Sequence, residues 1–160
     1  WRSLLPAWPS ELLGVLPDQY TTELSPQANA WWRVAADKLV AGKLVALDYG
    51  HGPDDWPAAS QPDGTVRGYR TQKRVDDVLA DPGEQDLTAH ANFGLAKREG
   101  ESAGLRTEQF TSQERFLNSI FVEMLESDPS LGQAIDVRQL QTLTHPDQMG
   151  RPFRVLVQSR

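Results

Sequence analysis

The side chains best suited to proton and charge chemistry follow one apolar run. Leu44-Val45-Ala46-Leu47 is succeeded by Asp48-Tyr49-Gly50-His51-Gly52, an acid, a phenol and an imidazole among glycines. A short apolar run that ends abruptly in polar residues reads as a strand buried on both faces, as in a parallel sheet covered by helices. Open α/β sheets bind their ligands at the carboxyl ends of the strands. Asp48, Tyr49 and His51 therefore stand where such a fold does its chemistry. The plainer alternative is a strand followed by a turn, since Asp and Gly are ordinary turn residues. Gly64-Thr65-Val66-Arg67-Gly68-Tyr69-Arg70 places two arginines beside a tyrosine. That pattern suits anion clamping or cation–π packing, or a solvated basic turn. His90 lies between Ala89 and Ala91, a setting that fits a hydrogen-bonded structural histidine as well as a base.

Several elements must position these residues. Ser25 and Pro26 are suited to a helix start. A stripe of Ala28, Trp31, Trp32, Ala35, Ala36, Leu39 and Val40 predicts a helix over 25–40, with Gly42 as its closing residue. The strand at 43–48 follows directly, so the chain reads as an α/β alternation. Residues 51–85 are rich in Pro and Gly and read as a long functional loop. Asn92 is the expected cap of a helix that Gly104 closes. Residues 105–111 read as a short strand. Thr111 and Glu114 have the spacing of a capping box, ahead of Phe116, Leu117, Ile120, Phe121, Met124 and Leu125. That helix should end at Asp128-Pro129. A further helix is expected over 133–143, a turn over 145–152 and a last strand over 153–158. Residues 1–24, with Trp1, Trp8 and several prolines, read as an irregular lead-in.

Composition narrows the function classes. The 160 residues are one domain's worth of chain, and 39% are hydrophobic. A net charge of −6 argues against a nucleic-acid backbone as the main partner. The lack of cysteine excludes disulfides, thiolate zinc sites and a Cys nucleophile. Three widely separated histidines give no metal-ligand spacing, and no apolar run approaches a membrane span. There is no Gly-x-Gly-x-x-Gly or Walker pattern and no nucleophile elbow. The first residue is Trp rather than Met, with no visible signal peptide, and the chain is expected to be part of a longer one.

An ordered set of motifs carries a resemblance. Glu23-Leu24-Ser25-Pro26 comes first, then Leu47-Asp48-Tyr49-Gly50-His51 and Gly64-Thr65-Val66-Arg67-Gly68-Tyr69. Pro82-Gly83-Glu84-Gln85-Asp86-Leu87-Thr88-Ala89-His90 follows, then Thr111-Ser112-Gln113-Glu114-Arg115-Phe116-Leu117. His145-Pro146 and Met149-Gly150 precede the last strand. In this order and spacing the chain resembles the S-adenosyl-L-methionine (SAM)-dependent methyltransferases of the MidA type, bacterial relatives of a mitochondrial complex I assembly factor.

The resemblance implies an α/β fold, a partial class I (Rossmann-like) methyltransferase. Residues 1–160 would be its C-terminal portion: the second half of the sheet, with an antiparallel last strand and a helical insertion over 112–143. SAM is the implied cofactor, its site largely outside this chain. The implied reaction is methylation of arginine on a protein substrate, a respiratory-complex-type subunit, with neither nucleic acid nor a membrane span involved. Asp48, Tyr49 and His51 take the catalytic positions. Arg67, Tyr69, Asp86, Thr88, His90 and Gln113 take the substrate-binding ones. The implied compartment is the bacterial cytoplasm, and the mitochondrion in the eukaryotic relatives. The competing expectation is a non-catalytic assembly domain that keeps the fold. One departure stands out: the family commonly has His shortly after the Tyr-Arg pair, where this chain has Thr71-Gln72-Lys73.

Overall fold

A computed structural model describes residues 14–53, 55 and 61–160. Trp1, Trp8 and most of the expected lead-in lie outside the described residues. In chain order the elements are α1 (Pro26–Lys38), β1 (Lys43–His51), β2 (Arg67–Arg70), β3 (Lys73–Val75), β4 (Asp86–Thr88), β5 (Ala91–Asn92), α2 (Phe93–Ser102) and β6 (Arg106–Ser112). There follow α3 (Gln113–Ser127), a 3-10 turn (Pro129–Ala134), α4 (Val137–Thr144), a π turn (Pro146–Gly150) and β7 (Phe153–Ser159).

The main sheet has the order β5-β1-β7-β6. The last strand, β7, is antiparallel to both of its long neighbours, β1 and β6. It is also the strand buried on both faces, with Val155, Leu156, Val157 and Gln158 all at 5% exposure or less. This corrects the expectation for the 44–47 run. Leu44 and Ala46 pack toward the core of Trp32, Phe93 and Leu156. Val45 and Leu47, on the opposite face of the pleat, remain 44% and 45% exposed. The helices α1 and α2 cover one face of β1, and the described residues leave the other open. Apart from Gly50 and His51, which pair with β5, the edge of β1 facing away from β7 has no partner strand among the described residues.

Local chemistry explains the element ends. Pro26 opens α1 as expected, but the helix stops four residues short of Gly42, at Lys38, where Leu39 turns extended. Gly42 instead makes the turn into β1 at φ +110°, a region open to glycine because it has no Cβ. Asn92 caps α2 through Leu95 N–H at 2.9 Å. Gly104, at φ +86°, ends that helix, with Leu105 N–H returning to Gly100 O. The cap of α3 is Ser112, accepting from Arg115 N–H, and not Thr111, so the Thr111/Glu114 capping box does not form. Strand β6 continues through Ser112 because β7 still pairs with it there. The helix expected from 133 begins only at Val137, where Asp136 accepts from Arg138 and Gln139 N–H. The expected 51–85 loop carries more order than its composition suggested. Within it β2 and β3 form a hairpin, which β4 completes into a separate sheet of order β3-β2-β4.

Candidate functional site

Strand β1 does not end at Asp48. Strand β7 pairs with it as far as Tyr49↔Phe153, and β5 then takes over in parallel through Gly50↔Ala91 and His51↔Asn92. Gly50 permits this approach: a Cβ there would lie 2.5 Å from Ala91 O and from the Phe93 ring. The pairing brings the end of β1 against His90, the residue just before β5. His90 Nδ1 lies 3.1 Å from His51 Nε2, with ring centroids 4.7 Å apart. The Tyr49 ring lies nearly parallel to His90, at 6.4 Å and 10°, and packs on Phe153 at 4.0 Å. Residues distant in sequence thus form one polar cluster at the carboxyl end of β1.

Both histidines are half-buried, and burial holds both below the ordinary imidazole pKa. For His51, Asp55 and Glu23 act against that shift, while Arg154 adds to it. For His90, the neighbouring His51 and then Arg67 add to the lowering, opposed by Glu23 and Asp48. The pair is therefore predominantly neutral at pH 7. Two neutral imidazoles sharing one N–H···N bond leave one N–H and one lone pair facing outward, whichever ring holds the shared proton. That is an arrangement able to accept a proton from a third group.

Beside the pair, a groove of about 560 Å³ runs between α1 and the open edge of β1. Its wall is largely apolar, with Trp31, Val45 and Leu47, and its rim carries Asp48, His90 and Glu23. Asn92 also faces it. Its Oδ1 caps α2, and its buried Nδ2 has no hydrogen-bond partner among the described residues. No group of three or more His, Asp or Glu among the described residues could hold a metal ion.

The model of a family described as "Putative S-adenosyl-L-methionine-dependent methyltransferase" matches residues 2–111. The chain belongs to this family. Similar curated proteins include the mitochondrial protein arginine methyltransferase NDUFAF7 of Xenopus laevis, 31% identical in a 142-residue alignment that covers 82% of this chain and 30% of that protein. Its Xenopus tropicalis counterpart is 32% identical over 151 residues, 86% and 33% respectively. A crystal structure from Burkholderia thailandensis with S-adenosyl-homocysteine bound superposes with a TM-score of 0.79 at 30% identity, over 94% of this chain and 40% of that one. A native structure from the same superfamily and organism gives 0.80 over 94% and 42%. The chain spans about a third of the curated relatives and about two fifths of the solved structures. This chain shares the fold of the matching part of these Burkholderia structures, and the cofactor of the matched family is SAM.

The positions implied by the methyltransferase resemblance do not all converge. His51 and His90 are in contact, and the Tyr49 ring lies nearly parallel to His90 with centroids 6.4 Å apart. Asp48 is exposed on the groove rim, its Oδ1 accepting from Tyr49 N–H at 2.7 Å. Arg67 donates to Gly64 O and Val66 O, bracing its own turn. Tyr69, Asp86 and Thr88 lie on the small sheet, with Tyr69 opposite Asp86 and Thr88 opposite Arg67. Gln113 is 4% exposed and donates to Leu143 O at 2.9 Å, tying α3 to the end of α4. Thr71 and Gln72 are the two turn residues of the β2–β3 hairpin, both at positive φ. Sequence reasoning passed over Glu23 and Thr65. Glu23 Oε1 accepts from both Thr65 N–H and Val66 N–H. Thr65 Oγ1 accepts from His90 N–H at 2.9 Å. Glu23 was visible only as part of a motif, and nothing in its spacing points to residues 65 and 66.

Proposed function

We propose that this chain forms the acceptor side of a SAM-dependent methyltransferase that modifies arginine in a partner protein. The observation carrying this reading is the His51–His90 pair, its rings 3.1 Å apart at Nδ1 and Nε2, beside Tyr49 and Asp48 at the carboxyl end of β1. Guanidinium is protonated at any physiological pH. A nitrogen that gains a methyl group must therefore give up a proton, and a positioned imidazole is a suitable acceptor. The outward lone pair of the histidine pair takes that proton. The Asp48 carboxylate and the Tyr49 ring orient the cation. Tyr69, Asp86 and Thr88 on the small sheet, with Arg67 at its turn, contact the flanking acceptor chain, and Gln113 supports the adjoining helices. The arginine methyltransferase activity named for the Xenopus relatives supports this choice of acceptor.

SAM, when bound, supplies an electrophilic methyl group. The described residues offer no glycine-rich strand-to-helix turn for its nucleoside, and the groove wall of Trp31, Val45 and Leu47 is apolar. We therefore assign the nucleoside to residues outside this chain. The open edge of β1 supports reading these residues as the C-terminal part of a larger sheet. A respiratory-complex-type subunit as acceptor, and the bacterial cytoplasm as compartment, rest on the sequence resemblance. No helix among the described residues is long and apolar enough to cross a membrane. Exposed Leu79, Leu87 and Tyr69 around the small sheet support a second reading, a protein-binding assembly domain.

The test is Asp48→Asn in the protein at its full natural length, with methyl transfer to an arginine-containing acceptor and SAM binding both measured. Lost transfer with retained SAM binding is expected. Near-normal turnover would sink the catalytic assignment. Absence of SAM binding by the unmodified protein would favour the assembly domain.

A further inference from the structure

We propose that Glu23 is the positioning residue of the histidine pair: its carboxylate fixes the Gly64–Val66 turn, and Thr65 within that turn fixes the backbone of His90. Residues 21–23 run beside 61–66, joined by a parallel bridge between Thr21 and Asp63 and by Thr21 N–H donating to Pro62 O at 2.8 Å. One oxygen of Glu23 then accepts from the consecutive N–H groups of Thr65 and Val66. A carboxylate on two backbone donors is among the stronger hydrogen-bond arrangements. The turn is shaped around it: Gly64 has φ +73°, and a Cβ there would lie 2.5 Å from Glu23 Oε1. Thr65 is 5% exposed, so its hydroxyl is committed to the protein interior, where it receives His90 N–H. His90 in turn meets His51. Four residues thus form a continuous hydrogen-bonded path from the segment before α1 to the end of β1.

The clamp also has an electrostatic side. The charged and titratable groups facing the pair are Glu23, Asp48 and Tyr49 of β1, Asp55, Arg67 of β2 and Arg154 of β7. Among the acids, Glu23 acts on both imidazoles, raising each against its burial. Glu23 therefore sets where His90 sits and biases when the pair takes a proton. The catalytic consequence rests on the reading of the pair as proton acceptor given above.

Variants of the full-length protein separate the two. Glu23→Gln keeps an oxygen acceptor and removes the charge. Its His51 and His90 imidazole NMR titrations should move to lower pH while the Thr65 and Val66 amides stay protected. Glu23→Ala removes both, and exchange of those amides should quicken by about tenfold. The Ala variant should also turn over more slowly. Gln should restore kcat, with the acid limb of the pH profile displaced to lower pH. Unchanged titrations in Glu23→Gln together with unchanged exchange in Glu23→Ala would overturn the clamp. If Glu23→Ala does not fold, the Gln titration alone decides. Titrations and exchange that respond while turnover does not would uphold the clamp and overturn the histidine pair as base.

Discussion

Two polar clusters occupy opposite ends of the β1–β7 ladder, and they are built differently. At one end, opposite Leu44, Gln158 is fully buried. Its Oε1 accepts from Trp32 Nε1–H at 2.8 Å, and its Nε2 donates to Lys97 O at 3.0 Å and Thr107 Oγ1 at 2.9 Å. Gly100 leaves room for this amide, since a Cβ there would overlap it. Gln158 so joins α1, α2 and β6 to the central strand. At the other end, the His51–His90 pair is half-buried, keeps an unshared lone pair and has an open groove beside it. A buried network with its donors satisfied makes a structure rigid and unique. A half-satisfied, titratable pair at a groove has capacity left for a substrate. The contrast separates what holds this sheet together from what it presents.

Breaking the pair should have the largest effect. His90→Gln in the full-length protein is expected to lower methyl transfer about a hundredfold with little change in melting temperature. His51→Gln should do the same, and the double variant should be hardly worse than either, because the two act as one unit. Additive losses would show that they act separately. Breaking the other cluster should reverse the pattern. Gln158→Leu orphans the Trp32 N–H and should cost about 2–3 kcal/mol in urea denaturation, with transfer by the folded fraction preserved. Trp32→Phe added to it should recover part of the loss.

Acid should sharpen the comparison more gently. Both histidines are held below the ordinary imidazole value in the fold. Between that folded value and the ordinary one, the unfolded chain binds more protons than the folded chain. Stability therefore rises with pH across that window and is lost as pH falls through it. Replacing both histidines with Gln should flatten denaturation midpoints measured across that range, whereas Gln158→Leu should leave the slope intact. The smallest effect belongs outside both clusters. Thr71-Gln72 forms a two-residue hairpin turn with both residues at positive φ, where Asn-Gly is favoured. Thr71→Asn with Gln72→Gly should stabilise the chain by about 1 kcal/mol without altering the histidine titrations.

Much of the fold was legible where local rules agree. Asn92 as a cap, Pro26 in a first turn, Gly104 as a stop and Asp128 as the end of α3 are each decided within a few residues. Two of the errors share one cause, competition from a distant partner. Thr111 lost the cap to Ser112 because β7 kept β6 extended. The 44–47 run looked like a strand buried twice, yet the strand buried on both faces is β7, which lies centrally between β1 and β6. The candidate site was half legible. Asp48, Tyr49 and His51 stood out at a strand end, but nothing local joins His90 to His51 across 39 positions.

Sequence alone determined the α/β character, the helix ends at Pro26, Asn92, Gly104 and Asp128, the lack of thiol chemistry and, through its ordered motifs, the methyltransferase family. These follow from backbone sterics, side-chain capping and residue type, which act at short range. Tertiary structure alone decided that Gly50 admits β5, that His90 meets His51, that Glu23 holds Thr65 and that Gln158 receives Trp32. Each is a contact between residues tens of positions apart or more. Its partner is set by strand register and close approach, which no local pattern encodes.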